Sequence, residues 1–393
     1  MKFMWESNAP WGGTGYSTQT KLMLHGLRER GHEPVCFCFW GLEGGIIDYD
    51  GYKCVPAGPG GQWGNDVIKA HLIRTKCEAI VTLMDLFVLD TSIWSTIEQP
   101  WVAWVPLDCV GIGRATLDPL RSVNYPIAMS DFAVDQMQQH GIQPFARIYH
   151  AVDTDVFQPM DKAECRDYLE IPEDAYVIGM VMANKGDRKQ YPAQFEAIAR
   201  WMKKHEDVDI RIHLHTERTD IMGGWDMQQL VEQMGLSGKV TIIDRYDSSV
   251  VPISMQNMAV VMNCFDVLMN CSSGEGFGIP IVEAQACGVP VITHDVTAMS
   301  EITQYGYAVE SESKGLAGHY GWQFHPSVED MEYRLECVYR MLGDNNADMA
   351  AGRQWVIDNC GLDTIVAQWD EVMLAVEGER SSLPGKSELV IAK

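Results

Sequence analysis

The sequence predicts an α/β protein made of two successive, doubly wound parallel sheets. Three observations predict it. Short apolar runs alternate with helix-patterned stretches from residue 2 to about 151, and the same rhythm restarts at Tyr176. Apolar runs of about four to eight residues bounded by turn signals mark strands buried on both faces, and such strands pair in parallel. Between the two series lies Phe157–Asp174, polar, acidic and proline-bearing, which reads as a linker between domains. A chain of 393 residues has room for two such domains.

Taken in order, Lys2–Glu6 is the first strand and Ser7–Gly15 a glycine-bearing loop. The helix that follows reaches about Arg30, where Gly31 stops it. Pro34–Trp40 is the second strand, Ala79–Met84, Trp101–Val105 and Pro126–Met129 continue the sheet, and Ile148–Ala151 closes it. The second sheet is expected to use Tyr176–Met182, Asp209–His215, Val240–Ile243, Val267–Met269 and Val289–Thr293. Trp355–Val376 has the pattern of one helix. The resulting division is a first domain at 1–158, a second at 175–354, a C-terminal helix at 355–380 and a patternless tail at 381–393.

Composition narrows the function classes. A hydrophobic content of 46% with 21% charged residues describes an ordinary globular chain. No apolar run reaches the roughly 18 residues that a bilayer span needs. The opening MKFMWES carries no secretory h-region, so a cytoplasmic chain is expected. The eleven cysteines form no C-x-x-C pair; Cys36 and Cys38 alternate along a strand and are expected to be poorly placed for a metal. Scattered, odd in number and mostly within apolar runs, they read as reduced core thiols. A net charge of −24, with no basic cluster beyond short pairs or triplets, disfavours nucleic acid as a partner without excluding a local basic groove. It also weakens any charge-driven attachment to anionic membranes.

The run GEGFGIPIVEA, Gly274–Ala284, carries the most chemical information. Gly276 and Gly278 allow close backbone approach. Pro280 suits the first turn of a helix, which then runs to about Cys287 and stops at Gly288. Free amides around Phe277–Ile281 at such a helix start are a ready phosphate site, with Gly276, Phe277, Gly278 and Ile279 expected against the ligand. Glu275 lies just before that site and Glu283 one turn into the helix, so each can accept hydrogen bonds from hydroxyls on either side of a bound phosphate. A nucleoside diphosphate sugar has that layout. Two further loops follow first strands. Ser7–Ser17, SNAPWGGTGYS, has a glycine-rich backbone able to wrap a phosphate or sugar, without the order of a dinucleotide fingerprint. Ala183–Lys189, ANKGDRK, brings Arg188 and Lys189, cations suited to a leaving diphosphate.

Glycines, phenylalanine, proline and both acids in this order resemble the E-x7-E signature of retaining glycosyltransferases with the GT-B fold, the large glycosyltransferase family 4 group. The resemblance covers most of residues 1 to about 375 and is strongest over Ser272–Thr293. It implies two facing Rossmann-like domains, a C-terminal helix that crosses back to the first, a nucleotide-diphosphate sugar as co-substrate, and no metal or other cofactor. It further implies Glu275 on the sugar hydroxyls, Glu283 on the ribose, and Gly13, with Thr14 beside it, closing over the diphosphate from the first domain. Lys189 stands in the place of the family's lysine. The family's arginine is absent: Ala183 or Asn184 holds its position, leaving Arg188 or Lys185 to compensate. The histidine usual in the segment matching Trp104–Asp108 is absent too, with Pro106 and Asp108 nearest. Asp108 could orient an acceptor hydroxyl, although a loop aspartate capping a helix is the simpler reading. Ser130–Ala133 and His150–Pro159 resemble structural joints of the family. The opening SNAPWGGTGY is similar to a subgroup found in bacteria and their phages.

The sugar, the base, the oligomeric state and the acceptor stay open, the acceptor being a glycan, a protein, a small molecule or a modified base. Base recognition is expected from the Asp244–Asp247 loop. The rival readings are a glycoside hydrolase or phosphorylase using both glutamates, and a non-catalytic module that binds sugar nucleotides.

Overall fold

The apolar runs become strands whose residues are buried in succession; Phe3–Ser7 of the first strand, for example, are all covered. The structure, a computed structural model, describes residues 1–60, 62–219, 223–244, 253–318, 320–341 and 346–382. The first sheet contains β1 (Lys2–Asn8), β2 (Glu33–Trp40), β3 (Ile47–Tyr49), β4 (Tyr52–Pro56), β5 (Ala79–Leu83), β6 (Trp101–Val105), β7 (Tyr125–Ala128) and β8 (Ala146–Arg147). They are ordered β3-β4-β2-β1-β5-β6-β7-β8, parallel throughout except for the β3–β4 pair. The second sheet contains β9 (Tyr176–Val181), β10 (Ile210–Thr216), β11 (Val240–Asp244), β12 (Val267–Asn270), β13 (Val291–His294) and β14 (Gly306–Val309). Its order is β11-β10-β9-β12-β13-β14, all parallel. A separate antiparallel hairpin, β15 (Ser311–Leu316) and β16 (Trp322–Pro326), follows.

Both sheets grow outward from their first strand and then restart on its other side. The reversal falls between β1 and β5 in the first sheet and between β9 and β12 in the second. Loops leaving adjacent strands at such a reversal diverge, and the crevice between them is where ligands bind in open α/β sheets.

Several expectations need correction. Ile148–Ala151 is not a strand: β8 is two residues long, and the chain leaves the sheet after the Ile148 amide bonds Ala128 O at 2.9 Å. Ala151 is held instead by a reciprocal pair of bonds with the buried Gln19 amide, both 2.8 Å. The stretch read as a linker contains the helix Lys162–Tyr168, capped by Asp161, whose carboxylate accepts the Glu164 amide at 3.0 Å. That helix is docked, since buried Arg166 bonds Cys264 O at 3.1 Å and Asp266 at 2.6 Å. The expected Trp355–Val376 helix is two helices, Asn346–Cys360 and Leu362–Ser382. At the break the chain pairs with Val152, whose amide donates to Cys360 O and whose carbonyl accepts from Leu362 N. Cys36 and Cys38 are also better placed for a metal than their alternation implied, because β4 brings Cys54 opposite Cys36.

The helix Leu362–Ser382 returns to the first sheet. Trp369 packs edge-on against Trp5 and Trp104, with centroids 5.3 and 5.1 Å away, and Asp370 meets His32 Nε2 at 2.8 Å. Among the described residues, no helix is long and apolar enough to cross a membrane. β11 ends at Asp244, so the rest of the Asp244–Asp247 loop lies outside the described residues, as does the tail beyond Ser382.

Candidate functional site

A cleft of about 800 Å³ opens where the carboxyl-end loops of the two sheets meet. Loops at both reversals contribute: Gly12–Tyr16 after β1, Asp85 after β5, Ala183–Lys189 after β9, and Glu275–Ile279 after β12. The topology therefore converges on one space the segments that the sequence singled out separately.

Glu275 is the centre of its charge network. Lys189 Nζ pairs with Oε1, Ser272 Oγ donates to the same oxygen at 2.8 Å, and Arg188 Nη1 donates to Oε2 at 3.1 Å. The Glu275 amide donates to Thr297 Oγ1 at 3.0 Å, which fixes the backbone beneath the carboxylate. Burial by itself would raise the Glu275 carboxyl, but Lys189, Arg188 and the hydrogen bonds to it outweigh burial and hold it down at about 2. Arg188 also donates to Gly274 O at 2.6 Å and lies 3.6 Å from Asp108 across the cleft. Burial opposes its charge, yet Glu275 and Asp108 win and raise its pKa above the ordinary value. Lys189 shows the opposite balance: burial, and then the Arg188 charge, outweigh Glu275 and pull the ammonium down to about 8. Two cations are thus held side by side in a poorly hydrated pocket by one carboxylate, in place before any ligand arrives.

The helix Ile279–Ala286 starts on this cluster, with Pro280 in its first turn and Gly288 in the left-handed region just past its end. Gly278 has φ +106°, which strains any residue with a Cβ. The Ile281 amide is taken by Gly278 O at 2.9 Å, leaving the amides of Phe277, Gly278 and Ile279, all cleft-lining residues, as the anion donors of this helix start. Glu283 also lines the cleft, and among the described residues no cation neutralises it. Burial pushes its carboxyl up to about 8. Gly276 has a different reason from the one expected: a Cβ there would sit 2.9 Å from Pro106 Cβ, so the glycine admits the first domain's loop. Gly274 likewise leaves room for Asp108 O.

Other expected residues divide. Gly13 and Thr14 line the cleft. Thr14 is committed as a helix cap, its Oγ1 accepting from Ser17 N at 3.1 Å and Asn8 Nδ2 at 2.7 Å. Asn184 does not line the cleft: its buried amide bonds the Glu217, Thr219 and Trp225 carbonyls and the Trp225 amide, latching two loops together. Asp108 is no helix cap, because the next helix begins at Arg114 with Gly113 before it. Lys185 lines the cleft, as does His150, whose ring packs on Phe277. Ser130 caps its helix through the Ala133 amide.

Sequence reasoning missed Tyr16, Asp85, Ser272 and His215. Tyr16 follows the glycine loop directly, and its position after Gly15 was the available signal. Burial, then Asp85 and Asp108, raise its phenol well above the usual range, so it faces the cluster as a neutral donor. Ser272 had a local signal too, three residues before Glu275, whereas Asp85 and His215 acquire their places from strand order.

Residues 177–319 match the family model described as Glycosyl transferases group 1. D-inositol 3-phosphate glycosyltransferase 2 of Catenulispora acidiphila is 24% identical over 232 residues, 57% of this chain and 51% of that protein. D-inositol 3-phosphate glycosyltransferase of Mycobacterium tuberculosis is 30% identical over 165 residues, 41% of this chain and 32% of that protein. The chain thus spans about a third to about half of the curated relatives it matches. Sucrose-phosphate synthase from Thermosynechococcus elongatus superimposes with a TM-score of 0.74 at 16% identity, covering 96% of this chain and all of that one. Anabaena HepE, solved in complex with UDP and glucose, gives 0.69 at 14% identity, covering 95% of this chain and all of that one. The fold is GT-B over nearly the whole chain, and by sequence the similarity to glycosyl transferases group 1 spans residues 177–319.

Proposed function

We propose that this chain is a retaining glycosyltransferase that moves a sugar from a nucleotide-diphosphate sugar to an acceptor hydroxyl. The observation that carries this reading is the Lys189–Glu275–Arg188 cluster at the start of the helix Ile279–Ala286. Departure of a nucleoside diphosphate builds negative charge on the leaving oxygen, and a preorganised pair of cations beside helix-start amides stabilises that charge where it develops. Lys189 and Arg188 perform this role, helped by the amides of Phe277, Gly278 and Ile279, with Gly13 and Thr14 approaching the diphosphate from the opposite side. Glu275 meets the sugar hydroxyls with its remaining acceptor capacity and holds the cations in register. Glu283, kept neutral by burial, both donates to and accepts from the ribose hydroxyls. A donor phosphate oxygen takes the acceptor proton on the same face, so no metal is used. Asp108 and the first domain, residues 1–158, serve the acceptor side; residues 175–354 bind the nucleotide sugar. The UDP in the HepE complex supports a nucleotide sugar as the co-substrate here.

A hydrolase that used Glu275 as nucleophile or base would need that carboxylate free. Cations occupy both of its oxygens, which favours transfer. Thermal-shift screening against a panel of nucleotide sugars tests the reading, because a bound donor raises the melting temperature by mass action. One nucleotide sugar is expected to stabilise the protein and to be consumed in the presence of an acceptor. Stabilisation without turnover across a broad acceptor panel supports the non-catalytic module instead, and no stabilisation by any donor rejects both.

A further inference from the structure

Away from the cleft, β2 and β4 gather three thiols on one buried face of the first sheet. Cys36 and Cys38 are two residues apart and so point the same way, and Cys54 lies directly opposite Cys36 in the parallel register. All three are buried. Their sulfurs all lie within 4.8 Å of one another, with Cys36 Sγ and Cys38 Sγ 3.5 Å apart. Among the described residues, this is the group of cysteine, histidine and carboxylate side chains whose donor atoms converge in this way. Tyr52 shares the face of β4 with Cys54. Its hydroxyl is buried, has no hydrogen-bond partner and interacts electrostatically with Cys36 and Cys54.

Thiolates bound to a d10 cation at about 2.3 Å stand about 3.8 Å apart in a tetrahedral site and about 4.0 Å apart in a trigonal one. The 3.5 Å pair and the 4.8 Å limit on the other separations bracket both values, so side-chain shifts of about 1 Å or less bring the trio around a cation. Sulfur donors select thiophilic ions over oxygen-seeking ones. Charge selects among those: three thiolates leave a residual −1 around a dication and −2 around a monocation, and a buried apolar site favours the smaller residue. An unpaired buried hydroxyl on the same strand face as Cys54 is costly as it stands and offers an oxygen as a fourth donor.

We propose that Cys36, Cys38 and Cys54 form a closed site for a thiophilic divalent cation of the Zn²⁺ type, with the Tyr52 hydroxyl at its fourth position. The bound cation would tie β4, and the β3 edge strand paired with it, to the centre of the first sheet. It takes no part in the cleft, whose lining includes none of these residues.

The full chain is reduced under anaerobic conditions, loaded with Zn²⁺ or Co²⁺ and desalted. Elemental analysis is then expected to find one cation per chain, and the cobalt form to show an intense thiolate-to-metal charge-transfer band. Cys36→Ser and Cys54→Ser should lose both signals, whereas Cys165→Ser, away from the trio, should keep them. Tyr52→Phe should retain the charge-transfer band while its cobalt d–d spectrum changes. Absence of the band in the reduced wild-type protein overturns the proposal, and that result stands even if the serine variants fail to fold. Peptide mapping that finds Cys36 and Cys54 joined as a disulfide in protein isolated without reductant overturns it as well. Because the readout is metal content and spectrum, the outcome is independent of whether the cleft transfers sugar.

Discussion

Lys189 is the residue on which the proposed chemistry turns. Charge on the leaving oxygen beside its ammonium grows toward the transition state, so Lys189→Ala should lower kcat about 100- to 1000-fold at saturating donor and acceptor. Arg188→Ala should be milder; near-normal turnover for Lys189→Ala would reassign the diphosphate to Lys185 or the Gly12–Thr14 loop. The depressed Lys189 pKa also gives a pH signature. Below about 8 the ammonium is charged and attracts the diphosphate, and above it the charge is lost. Affinity for a free nucleoside diphosphate, measured by calorimetry, should therefore fall as pH rises through about 8, and Lys189→Arg should move that fall to higher pH. Glu283 titrates in the same window for a different reason. Its folded pKa of about 8 lies above its unfolded value, so the neutral form favours the fold at low pH and that contribution is lost as pH rises through about 8. Glu283→Gln removes the titration. Relative to the wild-type protein the variant should gain stability as pH rises from about 4.5 to about 8 and keep that gain above it, and it should lose donor affinity throughout. A stability difference independent of pH in denaturant titrations would contradict the burial of Glu283.

At the scale of elements, the loop and helix from Gly274 to Ala286 do two jobs at once. They hold anion donors toward the ligand and seat the second domain on the Pro106–Asp108 loop of the first. Gly276→Ala separates the jobs. The added methyl meets a proline ring and backbone, neither of which yields readily, so the loop carrying Asp108 must shift relative to the loop carrying Glu275. A displacement of about 1 Å in such a site can cost about 100-fold in rate. The expected result is a loss of that order in kcat with binding of a free nucleoside diphosphate little changed, and wild-type turnover would sink the idea. The first helix offers the complementary case. Thr14 caps it, so Thr14→Ala should cost about 0.5–2 kcal/mol in denaturant unfolding while Thr14→Ser restores the cap.

For the whole molecule, the C-terminal helix is the clamp. Trp369, fully buried, fills the space between Trp5 and Trp104 on the first sheet, although it follows the whole second domain in sequence. Trp369→Ala should cost about 3–5 kcal/mol, since a cavity of that size in an aromatic core cannot collapse fully. Calorimetry should show the loss in the transition that includes the first sheet; an unshifted transition would mean that the helix is a passive appendage. A second tie crosses between domains, where Glu301 accepts the amides of Asp131 and Phe132 at 2.8 and 3.0 Å and so caps a first-domain helix from the second domain.

What the sequence determined by itself was local. Largely apolar runs marked the inner strands of both sheets, because a strand covered on both faces has few polar positions to spare. The glycines, Pro280 and the two acids of Gly274–Ala284 marked a helix start, because chain geometry alone sets their spacing. What only the tertiary structure decided was every relation between distant segments. Asn184 and Arg188 share one loop, yet the fold turned the first into a latch and brought the second between Glu275 and Asp108, partners 87 and 80 residues away. Tyr16 and Asp85 reached the cleft through the reversal of strand order, and Cys54 reached Cys36 through the β2–β4 register. The edge strands β3 and β8 escaped the pattern because their residues are exposed or half-covered, and the break at Gly361 because the Val152 segment it pairs with comes from elsewhere in the chain. Spacing along a chain is written in its covalent geometry, but which loops face each other depends on strand order and register, which exist only once the whole sheet has formed.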